Sequence, residues 1–287
     1  MNDFILGDLL RIPNTLNVVS VCWKLAEDDL QNEIKNYYPN SDEEFVTRLF
    51  LGRFAAKLRS ASEQQFIEFA FLEDLKSSFP HLRGSYELCQ IANGLVAHVT
   101  LHRRTAEKIT GGDLGLMILR PQIANSGNAI KINDYRRGIL CQVKLKDEKG
   151  KWGRFTPNQK KVLPERLGYL CILLYNYTDP ERRHLDNFQW HICETETMTQ
   201  LEEYLKRDTF PSLVDSGTII QVVGHGIIGT DDSDTLDKIV SPARNPSLII
   251  TISWSGYPDG RYPESQVYVY STSEERITTH VNQMVGY

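Results

Sequence analysis

The chain has no apolar run of the ~18 residues that a membrane-crossing helix needs, so no membrane span is expected. Its first residues, MNDFILGDLLRIPNTLNVVSVCW, put acids ahead of the apolar positions and carry no basic leader, which argues against a secretory signal. Cysteine is sparse: the five thiols, Cys22, Cys89, Cys141, Cys171 and Cys193, are widely spaced and form no C-x-x-C pair. That spacing disfavours a zinc site, and the odd count reads as reduced, buried thiols in a cytoplasmic protein. No internal repeat and no low-complexity linker divides the sequence. There is no G-x-S-x-G, and VVGHGIIG around His225 lacks the Gly spacing and Lys-Ser/Thr of a P-loop, so it reads as a turn. GTDDSD has acids but neither the spacing nor the terminal Glu of an EF-hand. What remains, 41% hydrophobic and 24% charged over 287 residues, is the composition of an ordinary globular protein of one large or two small domains.

Positive charge is scarce overall, with a net charge of −5, but it is not evenly spread. Between Lys131 and Arg166 there are eleven Lys/Arg against four Asp/Glu, a local surplus of seven, which leaves −12 on the rest of the chain. A basic stretch within an acidic protein can hold a polyanion locally while the remainder keeps the molecule soluble. The alternative is a solvated hairpin and helix face.

The pattern of residues gives an order of elements. LNVVSVCW reads as an early strand, and KLAEDDLQNEIKNYY as a helix ended by Pro39. Ser41 with Glu44 forms a capping box opening a helix to about Arg59, and Ser62 is expected to cap a further helix, EQQFIEFAFLEDLKSSF. Strands follow in GLVAHVTLH, DLGLMIL and, after a long polar connection, RGILCQVKL. TPNQKKVLPERL reads as a short helix capped by Thr156 with Pro157 at its first position. GYLCILLYNY is a continuous apolar run, as in a strand covered on both faces. FQWHIC, GTIIQVVG, SLIITISW and SQVYVYS are further strand candidates, with a helix at ETMTQLEEYLKR. The expectation is an α/β fold: a mixed central β-sheet flanked by helices. It divides into a mostly helical segment over 1–59, a core over 60–195 and a C-terminal α/β extension over 196–287.

The chemistry concentrates in RGILCQVKL. Ile139, Cys141, Val143 and Leu145 alternate with Leu140, Gln142 and Lys144, so one face is apolar while the other aims an amide and an ammonium at one spot. Upstream, RTAEKITGGDLGL places Asp113 at a strand start behind two glycines, with Glu107 on the approach. If the strand after Asp113 pairs as a hairpin with 138–145, Asp113, Gln142 and Lys144 converge. Glu68, in the apolar setting QFIEFAFL, is a buried carboxylate in need of a partner. Such a cluster fits metal-assisted phosphodiester cleavage. Mg²⁺ takes one or two carboxylates and keeps several waters. Asp113 is the main ligand candidate, Glu107 or Glu68 the second, and the Val143 carbonyl or Gln142 side chain a neutral oxygen. Lys144 would position water or offset charge on the phosphate. Each residue also has a plainer reading: Asp113 as a turn residue, Gln142 and Lys144 as the polar face of a strand, Glu107 as solvated, His191 as a core histidine. Glu44 belongs to its capping box.

Asp113 at a strand start, QVK in the next strand, Gln159 on the helix after it and the apolar strand GYLCILLYNY resemble the PD-(D/E)xK, restriction-endonuclease-like nucleases over about residues 60–180. The resemblance implies a restriction-endonuclease-like core and Mg²⁺- or Mn²⁺-dependent cleavage of DNA, less often RNA. It implies a site of Asp113, Gln142 (in the place of an acid), Lys144, Gln159 and Glu107 or Glu68. The E…TGGD arrangement resembles an uncharacterised bacterial branch often met among phage-defence proteins, which implies a possible partner protein in a defence complex. Lys146, Lys149, Lys151, Arg154, Lys160 and Lys161 would contact the phosphate backbone. With glutamine replacing an acid, an inactive, nucleic-acid-binding descendant of the same fold is the alternative.

Overall fold

The computed structural model describes residues 15–37, 42–78, 95–101, 112–126, 129–147, 149–176, 188–193, 196–240, 247–254, 267–271 and 277–280. Three helices come first: α1 (Thr15–Tyr37), α2 (Glu43–Glu63) and α3 (Phe66–Ser78). The stretch LNVVSVCW is therefore helix and not strand. Its β-branched residues favour extended backbone locally. Yet Leu16, Val19, Trp23, Ala26, Leu30 and Ile34, spaced three or four apart, are all buried along one helical stripe, and packing of that stripe overrides propensity. Asp42, not Ser41, caps α2 by accepting from Phe45 N at 2.8 Å. Ser62 closes α2 instead of opening α3, and its Oγ accepts from Ala97 N at 3.2 Å.

The strands are β1 (Leu95–Leu101), β2 (Leu114–Ser126), β3 (Ala129–Leu145), β4 (Leu170–Tyr175), β5 (Gln189–Cys193), β6 (Leu213–Asp215), β7 (Ser247–Trp254), β8 (Val267–Ser271) and β9 (Ile277–His280). Between β3 and β4 lie α4 (Pro157–Val162) and a 3₁₀ turn (Leu163–Tyr169); then come α5 (Met198–Arg207), α6 (Ser216–Gly224) and α7 (Ser233–Ile239). GTIIQVVG is thus a second strand expectation that folds as helix. Asp215 caps it through Thr218 N, and Ile219, Ile220 and Val223 are buried at helical spacing. The polar connection expected before RGILCQVKL is instead strand, because β2 and β3 run as one long antiparallel hairpin from Leu114↔Cys141 to Ser126↔Ala129.

The strands form a mixed sheet in the order β1-β7-β2-β3-β4-β5-β6, with β8 on the far end of β3 and β9 on β8. β3 and β4 are parallel, as are β2 and β7, and the other pairs are antiparallel. The division expected at 195/196 does not separate two sheets, since β6 and β7 belong to the same sheet as β1–β5. The helices of 15–63 likewise pack onto that sheet.

Helices cover both faces. On one, Leu114, Leu116, Ile139, Cys141, Val143 and Leu173 meet α1, α2, α3 and α6. On the other, Met117, Leu140, Leu170, Ile172 and Leu174 meet α4, the 3₁₀ turn, α5 and α7. Trp23, Phe50 and Phe54 fill the first layer with edge-on contacts at 4.7 and 4.9 Å. Each such buried side chain contributes ~1.5–3 kcal/mol. Gly115 lets α7 seat closely, because a Cβ there would overlap the Ile239 carbonyl. Among the described residues, no helix is long and apolar enough to cross a membrane.

Candidate functional site

The hairpin register decides which side chains meet. Leu114 pairs with Cys141, so Asp113, one residue earlier, stands across from Gln142. Alternation then puts Asp113, Gln142 and Lys144 on the face beneath α4 and α5, while Cys141 and Val143 point into the other core. Gly112 permits the close approach of the two strands here, for a Cβ would run into the Leu140 side chain. Asp113 N donates to the Cys141 carbonyl at 2.8 Å, which ties down the chain just before β2.

The Asp113 carboxylate accepts from Val143 N at 2.8 Å through Oδ2, and the Gln142 amide donates to the same oxygen. That amide NH₂ also lies 3.4 Å from the Val143 carbonyl. It therefore sits between two oxygen acceptors, as a small cation would. Gln142 is only 1% exposed, and no described residue donates a hydrogen bond to its Oε1. A buried amide oxygen left so costs ~1–3 kcal/mol. The negative charge of Asp113 is felt nearby: burial first, and Asp113 second, push the Cys141 thiol well above its ordinary range.

Lys144 is 5% exposed, in the next position on the same face. Its Nζ lies 5.0 Å from the Phe155 ring centroid. Among the described residues it makes no ion pair. The stem of Lys144 is buried, while its ammonium is not among the fully buried unpartnered atoms, and a cation–π contact contributes ~0.5–2 kcal/mol. The Gln142 oxygen, buried with no donor among the described residues, is the group whose polar capacity is left open for something else.

The other expected residues are distributed as follows. Gln159 is buried on α4, where its Oε1 accepts from Thr156 N at 2.9 Å and its N–H donates to Thr156 Oγ1 at 3.2 Å. Its side-chain oxygen serves the capping box. Glu68 lies in the first turn of α3, in the helical layer on the opposite face of the sheet; burial raises its carboxyl above the usual range. No hydrogen bond or ion pair among the described residues joins it to Asp113, Gln142 or Lys144. Glu107 lies outside the described residues. Among those described, no three His, Cys, Asp or Glu side chains gather as a metal site. A cation at this notch would rely on the Asp113 carboxylate, the neutral oxygens of Gln142 and Val143, and water. That is the hard-oxygen set Mg²⁺ accepts, so the residues present fit the ion.

The basic residues also separate into two kinds. Lys149, Lys151, Arg154 and Lys161 are exposed, and no ion pair involves them among the described residues. Lys146 instead donates to Asp208 Oδ2 at 2.8 Å and lies 4.9 Å from the Trp152 ring centroid. Lys160 pairs with Glu202. Asp208 ends α5 in the left-handed region (φ 55°) and also accepts from Trp152 Nε1 at 2.7 Å. These ties fasten the segment after β3 to α5. Between them lies a groove of about 610 Å³ lined by Lys151, Trp152, Arg154, Phe155, Lys160 and α5.

His191 is a core histidine, as its sequence setting implies: Nδ1 lies 3.2 Å from the Ser212 carbonyl and Nε2 3.4 Å from Glu196 Oε1. Sequence reasoning did not single out Phe155, Trp152 or Asp208. The interleaving of aromatic and basic residues in KGKWGRF was the available signal for the first two. Asp208, far along the chain, had none. Compared with known families, curated proteins and solved structures, the chain matches no family model, no curated protein and no solved structure.

Proposed function

We propose that the protein is a Mg²⁺-dependent phosphodiester hydrolase acting on nucleic acid, with DNA as the substrate its resemblance to the PD-(D/E)xK nucleases implies. The observation that supports this reading is the Gln142 amide, whose NH₂ fills a cation-sized place between Asp113 and the Val143 carbonyl and whose oxygen is buried with no donor among the described residues. A half-turn of that amide presents three oxygens to one point, an arrangement that suits a hard cation. A bound Mg²⁺ would offset charge on the scissile phosphate and acidify a bound water. Asp113, Gln142 Oε1 and the Val143 carbonyl would hold it. Lys144, poorly solvated and two residues along the same face, would orient the attacking water and meet charge growing on the phosphate oxygens. The Asp113–Val143 N hydrogen bond keeps the carboxylate aimed at the notch. Phe155, whose ring centroid lies 5.0 Å from the ammonium, would favour that position for the charge.

The test is cleavage of labelled single-stranded and duplex DNA with Mg²⁺ or EDTA, for the wild type, Asp113→Asn and Lys144→Met. Metal-dependent product from the wild type, lost in both variants, is the expected result. Equal product from all three defeats the assignment. A binding-only protein of the same fold is the second reading, favoured by a carboxamide where the resemblance implies a carboxylate. It predicts nucleic-acid binding with no product under any metal condition.

A further inference from the structure

We infer that the groove between the segment after β3 and α5 holds a single strand of nucleic acid, next to the bond being cut. The inference rests on the proposed hydrolase reading for the position of that bond, but not for the binding itself. Phe155 links the two places: it lines the groove and its ring centroid lies 5.0 Å from Lys144 Nζ. A strand with its phosphate at Lys144 would pass the Phe155 ring to enter the groove.

The two walls differ in charge. Lys151 and Arg154 stand on the wall that follows β3, exposed and without ion pairs among the described residues. Glu202, Glu203, Lys206 and Asp208 stand on the α5 wall, three carboxylates against one ammonium. Their charge is partly met: Glu202 by Lys160, Glu203 by Lys206 and Arg207, Asp208 by Lys146. The floor is apolar, formed by Trp152, Phe155 and Leu205.

A single strand has the same asymmetry. Its phosphates would face Lys151 and Arg154, while the amino edges of its bases would face carboxylates that accept hydrogen bonds. A duplex presents phosphates from both of its strands, so one row would meet the carboxylate wall. The groove's volume is also on the scale of a small-ligand cleft. The geometry thus selects one strand, or a strand lifted from a duplex.

The test is binding to the full chain in EDTA, where no metal-dependent cleavage intervenes. A short fluorescein-labelled single-stranded DNA of mixed sequence is compared with the blunt duplex of the same sequence by fluorescence anisotropy over a range of salt. The single strand should bind at least about tenfold more tightly than the duplex. Lys151→Glu with Arg154→Glu should weaken it by about tenfold and lower the slope of log K against log salt by roughly 1.4. Glu202→Gln with Glu203→Gln should narrow the preference by improving duplex binding. All four side chains lie at the surface, so the fold should survive. Equal or tighter duplex binding overturns the inference. So does charge reversal that leaves affinity unchanged, or a preference that the two glutamine substitutions do not narrow. Binding of this kind without metal-dependent product would sink the hydrolase reading and leave this one standing. Product without the strand preference would do the reverse.

Discussion

Replacing Lys144 by methionine should make the protein more stable. The residue is 5% exposed, its stem is buried, and its ammonium lies over the Phe155 ring. An ammonium that is partly desolvated gives up a fraction of the several kcal/mol that full burial costs, and the ring offsets part of that loss. Methionine keeps most of the length of the stem and so most of its packing. Little cavity opens, whereas alanine would lose ~2 kcal/mol or more to one. The net gain expected is about 1 kcal/mol. At ~2–4 °C per kcal/mol for large domains, this raises Tm by about 2–4 °C. Differential scanning fluorimetry in EDTA at neutral pH reads the shift. Urea titration should show a higher midpoint at unchanged slope. A gain in stability with loss of cleavage is the mark of a residue kept for function at the expense of the fold. A loss of 1 kcal/mol or more refutes the reasoning, because it means the ammonium has a buried counter-charge.

Three further outcomes follow from the same geometry. Gln142→Glu places a second carboxylate against Asp113; it should lose about 2 kcal/mol in EDTA and recover in millimolar Mg²⁺, read as a metal-dependent Tm shift larger than the wild type's. Gln159→Ala removes the oxygen that accepts from Thr156 N, which should cost about 1 kcal/mol in chemical denaturation and loosen the chain beside Phe155. His191 is held below the ordinary histidine range by burial. Its folded form therefore takes up a proton less readily than the unfolded chain, and stability should fall as pH drops through the ordinary histidine range toward the lowered folded value. His191→Phe should flatten that part of the stability–pH profile while keeping the ring contacts to Tyr204 and Phe210.

The legible parts of the sequence were those where periodicity and local chemistry agree. The β3 alternation, the Thr156 cap and the apolar run of β4 all fold as their residues imply. So does the meeting of Asp113 with Gln142, because a hairpin register follows from two adjacent strands. The two strand expectations that fold as helix share one cause. LNVVSVCW and GTIIQVVG are rich in β-branched residues, and tertiary packing of a three-to-four residue stripe makes both helical. The place of β7 between β1 and β2 was not legible, because nothing local marks a strand that returns to the sheet from far along the chain. The burial of Lys144 was also hidden: it depends on Phe155 lying over a face that looks merely polar.

The account depends most on the notch formed by Asp113, Gln142 and the Val143 carbonyl. A crystal soaked in Mn²⁺, examined by anomalous scattering, tests it directly. The expected result is one strong peak at ~2.0–2.3 Å from an Asp113 carboxylate oxygen, with the Gln142 amide turned so that its oxygen faces the ion. A notch without a peak at saturating Mn²⁺, with the Gln142 NH₂ still on Asp113, would contradict it.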